Sequence, residues 1–318
     1  MDYFNNFGND RSSYLKIEIM KISKNIFLKK KILVYGLGKS GISTFKFLKK
    51  KADVYLFDDN QRINQKIINL NQLLKTKFDI IIISPGIDIL NCKLSKFLKK
   101  NFYKIYTDLD IFYAFYKNKS VAITGTNGKS TTAKILYEAL VDQKRDARLV
   151  GNIGNPILSE KKISRKTFFV IEVSSYQLDY SKIFSSKFAV ILNISADHIE
   201  RHRNLTNYVN AKFKLLELQN KNSFAFIKKN DELIKKKIKK SKFKQKIYKV
   251  DTLNTKKISN QLNNKYFSSD GNIENLSFIL KIASKLNLNN TKLLETLNNF
   301  KGLKYRQQIT FDNKNLTI

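Results

Sequence analysis

At 318 residues and 42% hydrophobic content, the chain is long enough for two ordinary domains and a piece of a third. No apolar run approaches the ~18 residues of a membrane span, the first thirty residues lack a signal-type apolar centre, and the single cysteine, Cys92, excludes an internal disulfide framework and fits a reducing cytosol. The formal charge of +34 is nearly all lysine, spread along the chain with abundant Asn and Ile, so it reads as AT-rich codon usage on solvated surfaces; non-specific adhesion to polyanions is expected, a specific nucleic-acid partner is not.

Residues 1–30 form a poorly patterned lead-in with one helix around residues 15–26. From Lys31 strands and helices alternate: KILVYG as a buried strand, GISTFKFLKK as a helix, ADVYLFDD as a second strand, and FDIIIISPG as a third, ending in a Pro85-Gly86 turn. A short strand at 104–106 and the amphipathic TDLDIFYAFY close this unit. A second unit starts at Ser120, with strands SVAITG, TFFVIEVS, FAVILNIS and SFAFIKK and helices over 130–142, 207–218 and 274–286. The lysine- and asparagine-rich stretch from Asn230 to Gly271 reads as peripheral strands and loops, with a weak strand at 246–250.

Such alternation predicts an α/β chain: a Rossmann-like parallel sheet domain over 31–117, followed by a P-loop-type central ATPase domain over 118–302. The last segment, ITFDNKNLTI, carries a hairpin signal around DNKN, with nothing after Ile318 to cover the second run. Residues 303–318 are therefore expected to open a third, truncated domain or to be completed by a partner.

Ser120 to Thr132, SVAITGTNGKSTT, carries the strongest chemistry. Gly125 and Gly128 bracket a tight turn whose backbone, with Thr126 and Asn127, can aim N–H groups inward; Lys129 adds a positive charge, and Ser130 a hydroxyl able to ligand Mg²⁺. The following AKILYEAL has helical spacing, so the turn sits at a helix N-terminus, where the dipole favours phosphate. The signature G-x-x-x-x-G-K-[ST] is not matched in full, since position 123 is Ile123 and the glycine falls at 125.

Gly36, Gly38 and Gly41 form a G-x-G-x-x-G between a strand and a helix, with Asp58 on the next strand. Alone, this leaves three readings open: an NAD(P)-dependent oxidoreductase, another nucleotide diphosphate such as a nucleotide sugar, or a structural turn. Nothing downstream looks like a hydride-transfer site. His198 and His202 suggest zinc by their spacing, but H-E-x-x-H needs glutamate where Ile199 stands, so His202 reads as a surface residue.

Taken together, GLGKSG, SPGI, TDLDIF, GTNGKST, GNIGNP, IEVSSYQL, LNISADH and NAKF occur in an order that resembles the Mur ligases, most of all their D-glutamate-adding branch, for which SPGI beside GLGKSG speaks. Folylpolyglutamate synthetase shares GTNGK but does not begin with a G-x-G-x-x-G domain. The resemblance implies three domains and a cytoplasmic, monomeric enzyme that uses ATP and Mg²⁺. It would phosphorylate the carboxylate of UDP-N-acetylmuramoyl-L-alanine and let the amine of D-glutamate attack the acyl phosphate; another Mur-type amino acid ligase is the alternative.

The resemblance also implies roles. Lys129 would hold the β- and γ-phosphates, with Ser130 and Thr131 on Mg²⁺. Glu172, His198 (assisted by Asp197) and Lys212 would be metal ligands, Lys212 as a carbamate. A carbamate needs a neutral amine, so the site must depress a lysine pKa that is ordinarily ~10.4, and neighbouring Mg²⁺ is expected to do it. Gly36, Gly38, Ser40, Gly41, Asp58, Ser84, Pro85 and Gly86 would bind the UDP part, and Asn152, Ser174, Ser175 and Asn155 the muramoyl-alanyl part.

GNIENLSF resembles a family H-N-x-x-N start, keeping Asn272 and Asn275 (the latter for adenine) with Gly271 in place of histidine. FKGLKYR resembles F-x-G-L-P-H-R, keeping Arg306 for the ATP phosphates while Lys304 and Tyr305 replace Pro and His. Because relatives continue into a third domain, the expectation is a fragment with little or no ligase turnover.

Overall fold

The computed structural model describes residues 25–60, 67–252 and 255–303. The hairpin of 308–318, Lys304, Tyr305 and Arg306 lie outside the described residues, as does almost all of the helix expected around 15–26. The chain divides into two compact units, one running to Lys117 and including Ser181–Phe184, the other comprising Asn118–Tyr180 and the chain from Ser185 onward.

In the first unit the elements are β1 (Lys31–Tyr35), α1 (Lys39–Leu48), β2 (Asp53–Phe57), α2 (Leu70–Lys75), β3 (Ile80–Ile83), α3 (Ser95–Lys100), β4 (Ile105–Tyr106) and α4 (Asp108–Phe115). The strands pair in parallel in the order β2-β1-β3-β4. β3 is four buried isoleucines and β1 is ILVY after its first residue, the unbroken apolar runs of strands covered on both faces. Chain order reverses between β1 and β3, so their carboxyl ends flank the crevice where open α/β sheets bind ligands. The Gly36–Gly41 turn leaves one of those ends and Ser84-Pro85-Gly86 the other.

α4 begins with a capping box between Thr107 and Asp110. Asp110 is fully buried. One carboxylate oxygen accepts from Thr107 N (2.9 Å) and Oγ1 (3.1 Å). The other accepts from Ser181 Oγ (2.8 Å) and the N–H groups of Lys182, Ile183 and Phe184 (2.9, 2.8 and 3.1 Å). A carboxylate without solvent needs such donors, and they explain why this short segment packs with the first unit.

The second unit holds β5 (Ser120–Thr124), α5 (Lys129–Asp142), β6 (Ala147–Gly151), β7 (Phe168–Glu172), α6 (Ser175–Tyr180), β8 (Phe188–Ile191), α7 (Ile199–His202), α8 (Leu205–Glu217), β9 (Phe224–Lys228), α9 (Glu232–Lys240), β10 (Lys246–Val250), α10 (Thr255–Ser259), α11 (Asp270–Lys285) and α12 (Asn290–Asn299). Its parallel sheet runs β10-β9-β8-β5-β7-β6, with β5 between the strands that end in Glu172 and Ile191. Ala133, Leu136 and Leu140 of α5 and Leu276, Ile279 and Ile282 of α11 share one core cluster with Val121, Val170 and Val190 of the strands.

In the region 230–271 the expected peripheral strand is present as β10 at the sheet edge, but helices stand where loops were expected. α9 occupies Glu232–Lys240, capped by Asp231, which accepts from Ile234 N, with Glu232 in its first turn and three lysines in its last. Only Ile234 on it is buried, but Leu233, Ile234 and Ile238 stand at helical spacing among the lysines, a stripe that the lysine-rich composition masks. β6 escapes the sequence for a related reason: just Ala147 and Val150 of ARLVG are buried at this sheet edge. Among the described residues no helix is long and apolar enough to cross a membrane.

Candidate functional site

The loop after β5 turns into α5 through Gly128, which caps the helix at φ +80°. A Cβ there would fall 2.0 Å from Asn275 Oδ1, so glycine is needed both for the left-handed turn and for Asn275, itself 4% exposed, to pack on the loop. Backbone N–H groups of Thr126 and Asn127 donate to Asn193 O (2.9 Å) and Asn193 Oδ1 (2.8 Å). Asn193 Nδ2 in turn donates to Glu274 (2.8 Å), which is paired with Lys228. The loop is thus fastened to the end of β8 and to α11 before any ligand arrives.

Two ammonium groups meet on one carbonyl of this loop. Lys129 Nζ donates to Gly125 O (2.9 Å) and Thr126 O (2.7 Å), and Lys212 Nζ donates to the same Gly125 O (2.7 Å). Lys212 comes from the middle of α8, is 2% exposed, and lies 4.5 Å from the centre of the Tyr208 ring. Burial first, and the charge of Lys129 second, draw its pKa down to about 7, with Asp197 opposing. The depression expected from a metal is therefore already supplied by the protein.

Glu172 ends β7 beside Ile123 of β5, 1% exposed. Its Oε1 accepts from Asn152 Nδ2 at 2.8 Å, while its Oε2 is buried with no hydrogen-bond partner among the described residues. An orphaned buried carboxylate oxygen is costly and is relieved by a water or a cation. Gly151 lets the neighbouring chain approach: at φ +104°, a Cβ on it would sit 2.2 Å from Glu172 O.

Several residues expected on substrate are engaged by the protein. Asn152 serves Glu172. Ser174 caps α6, its Oγ accepting from Gln177 N (3.2 Å) while its own N–H donates to Gln177 Oε1 (3.1 Å). Asn155 Nδ2 donates to Glu160 (2.8 Å). Asn272, the retained motif residue, donates Nδ2–H to Tyr266 O (2.7 Å). The Thr131 hydroxyl lies 3.4 Å from that of Tyr266, whereas Ser130 is buried in the first turn of α5.

His198 is exposed, 3.4 Å from Asp197, at the head of the one-turn helix α7. His202, expected at the surface, is instead 4% exposed, with Nε2 2.9 Å from Ser175 Oγ. Burial draws its pKa down to about 4, so the ring is neutral at pH 7. Tyr208 joins these parts: its ring packs 5.3 Å from His202 and 6.4 Å from His198, and its hydroxyl is 3.1 Å from Thr126 Oγ1. Composition does not single it out. Its place one helical turn before Lys212, on the same face of α8, is the signal that could have. Among the described residues no three His, Cys, Asp or Glu side chains are grouped to hold a metal, and Ser130 and Lys212 are donors of other types.

In the first unit Gly36 has φ +90°, and a Cβ on it would meet Ser84 Cβ at 2.8 Å; a Cβ on Gly41 would overlap Gly36 O at 1.8 Å. Gly38 and Gly86 differ, for nothing among the described residues lies within 4 Å of where their Cβ would be. Asp58 accepts from Leu37 N (2.5 Å) and Asn60 N (2.8 Å), and Ser84 Oγ donates to Gly36 O (2.5 Å). Ser40 O accepts from Ser43 Oγ (2.9 Å) inside α1. Asp58 and Ser84 therefore build the turn, and the open side of Gly38 and Gly86, with Pro85 between Ser84 and Gly86, is where a ligand has room.

Residues 123–293 match the Mur ligase middle domain. The chain is 33% identical over 311 residues to UDP-N-acetylmuramoylalanine–D-glutamate ligase of Rickettsia felis, covering 89% of this chain and 69% of that protein. It is 32% identical over 313 residues to the protein of the same name from Rickettsia bellii, with the same coverage. Among solved structures, UDP-N-acetylmuramate:L-alanyl-gamma-D-glutamyl-meso-diaminopimelate ligase from Neisseria meningitides superposes with a TM-score of 0.58 at 14% identity, over 87% of this chain and 99% of that one, a likeness of fold.

Proposed function

The chain belongs to the Mur ligase family, and from that premise we propose that it is a D-glutamate-adding member, joining D-glutamate to UDP-N-acetylmuramoyl-L-alanine at the expense of ATP during peptidoglycan precursor synthesis. The reading carries with it a cytoplasmic, monomeric enzyme. Family membership sets aside the oxidoreductase alternative for the G-x-G-x-x-G turn.

One observation supports it above the rest: the Lys129 ammonium lies on Gly125 O at the N-terminus of the 14-residue α5, while a strand pairing with β5 ends in buried Glu172, whose Oε2 has no hydrogen-bond partner among the described residues. Anions are drawn to the first set and a cation to the second. ATP would lie along Gly125–Thr131, with Lys129 on its β- and γ-phosphates and Asn275, packed on the loop, near the adenine. Glu172, Ser130, His198 and a carbamylated Lys212 would hold Mg²⁺.

Magnesium, when bound, would neutralise the phosphate oxygens and the substrate carboxylate as they approach. The chain's own part is to orient them: the loop is fastened by Asn193 and Glu274, and Lys129 offers its charge. Lys212 suits carbamylation because burial leaves about half of its amines neutral near pH 7; the neutral nitrogen attacks CO₂, loses a proton, and becomes an anion. The UDP diphosphate would approach the backbone at Gly38 and Gly86.

Calorimetric titration tests this. UDP-N-acetylmuramoyl-L-alanine and Mg-ADP are each expected to bind once. Lys129→Ala should abolish ADP binding and leave the UDP compound within twofold, and Gly38→Val should do the reverse. Binding of a nicotinamide dinucleotide in place of the UDP compound would overturn the reading.

A further inference from the structure

His202 has no part in the chemistry above, yet it is 4% exposed while His198, on the same one-turn helix, stands in solvent. Its Nε2 lies 2.9 Å from Ser175 Oγ, and its carbonyl accepts from Asn207 Nδ2 at 2.9 Å. The ring stacks on Tyr176 (5.6 Å, 29°) and packs against Tyr208 (5.3 Å, 59°). The Ser175 contact is a buried hydrogen bond whose direction follows the ring's tautomer.

The turn needs such a fixture. α7 has four residues, too few to sustain itself, and both flanking residues, His198 (φ +52°) and Arg203 (φ +74°), are left-handed without being glycine. A backbone of this kind persists only where its surroundings over-determine it. Ser175 opens α6 three residues after Glu172, so the bond ties the turn bearing His198 to the strand end bearing Glu172.

We propose that His202 is a positioning residue: its buried hydrogen bond to Ser175 pins the 198–203 turn and thereby fixes where His198 is presented beside the phosphate loop. Tyr208 is the second wall, its ring against both histidines and its hydroxyl on Thr126. The functional consequence rests on His198 being a metal ligand; the placement of His198 does not.

The chain has two histidines, so the Cε1–Hε1 region of a proton–carbon spectrum shows two signals, and His202→Phe identifies that of His198. Tyr176, 5.0 Å away, displaces that signal by its ring current. Ser175→Ala should move it toward the position of free imidazole, and Ser175→Thr, which keeps the hydroxyl, should return it. In parallel, Ser175→Ala should weaken binding of a fluorescent ADP analogue about tenfold with Mg²⁺ and less than twofold without it. Thermal melts confirm that each variant is folded; if His202→Phe is not, assignment of the two signals by Mg²⁺ titration leaves Ser175→Ala decisive.

An unmoved His198 signal in Ser175→Ala overturns the proposal. So does a moved signal with unchanged Mg²⁺-dependent affinity when His198→Ala weakens that affinity. If His198→Ala itself has no effect, the metal reading fails instead, and the signal alone decides the placement.

Discussion

The two glycine turns of this protein look alike in sequence and are built on different principles. At Gly36–Gly41 the protein crowds the first and last glycines, with backbone or side chain inside 3 Å of the absent Cβ, and leaves the middle one open. At Gly125–Gly128 the crowding comes from Asn275 and Leu192, the loop is laced to β8 and α11, and two lysine side chains supply charge. The first turn offers shape and an approach for a ligand, the second a held set of donors with positive charge. A glycine with protein behind it is structural; one facing empty space is a candidate contact.

Substitutions can break that distinction. The largest effect should come from Gly41→Ala. Alanine inside a helix ordinarily stabilises by ~1 kcal/mol, but here the methyl would sit 1.8 Å from Gly36 O, so the sign should reverse and stability fall by about 4 kcal/mol or more, read from urea unfolding. A neutral Gly41→Ala would mean that the turn is not crowded as described. Gly128→Ala comes next, at about 2 kcal/mol, since it combines φ +80° with the collision at Asn275; adding Asn275→Ala should recover part of the loss, and strict additivity would refute the contact.

Gly38→Ala should be the opposite case. Its φ of −67° suits any residue and nothing stands within 4 Å, so stability should change by less than ~0.5 kcal/mol. Affinity for the UDP compound should nevertheless fall about tenfold. If the melt moves and the affinity does not, the open side of Gly38 is not a ligand side.

The smallest effect is a titration. Lys212 is drawn down to about 7 by burial and by Lys129, so carbamate formation, followed by carbon-13 labelled CO₂, should rise from pH 6 to pH 8 with its midpoint near 7. Lys129→Ala should move that midpoint upward. The same depression means that the unfolded chain holds an extra proton between pH 7 and the ordinary 10.5, so this group makes folding more favourable as pH rises through that window. A midpoint untouched by Lys129→Ala would show that the two ammonium groups do not interact.

Legibility followed the range of the forces involved. β1, β3 and β5 are short apolar runs bounded by turn residues, and such runs declare themselves. The capping box at Thr107–Asp110 and the Ser174–Gln177 cap are local enough to read from spacing. α9 is legible only if Leu233, Ile234 and Ile238 are read at helical spacing, which the surrounding lysines obscure. His202 was misplaced because exposure of a histidine is set by what packs on it, here Tyr176 and Tyr208, and not by its neighbours in sequence.

By itself the sequence determined the alternation of strand and helix, the phosphate-type loop, and the order of motifs that points to the family, because these depend on backbone preference and on contacts a few residues apart. Tertiary structure alone decided that Lys129 and Lys212 share Gly125 O, although the second lies 87 residues from it, and that, among the described residues, Glu172 keeps an oxygen without a partner and nothing crowds Gly38. Each of these is a matter of which groups lose water together, and that is set only when β5, β7, β8 and α8 have packed.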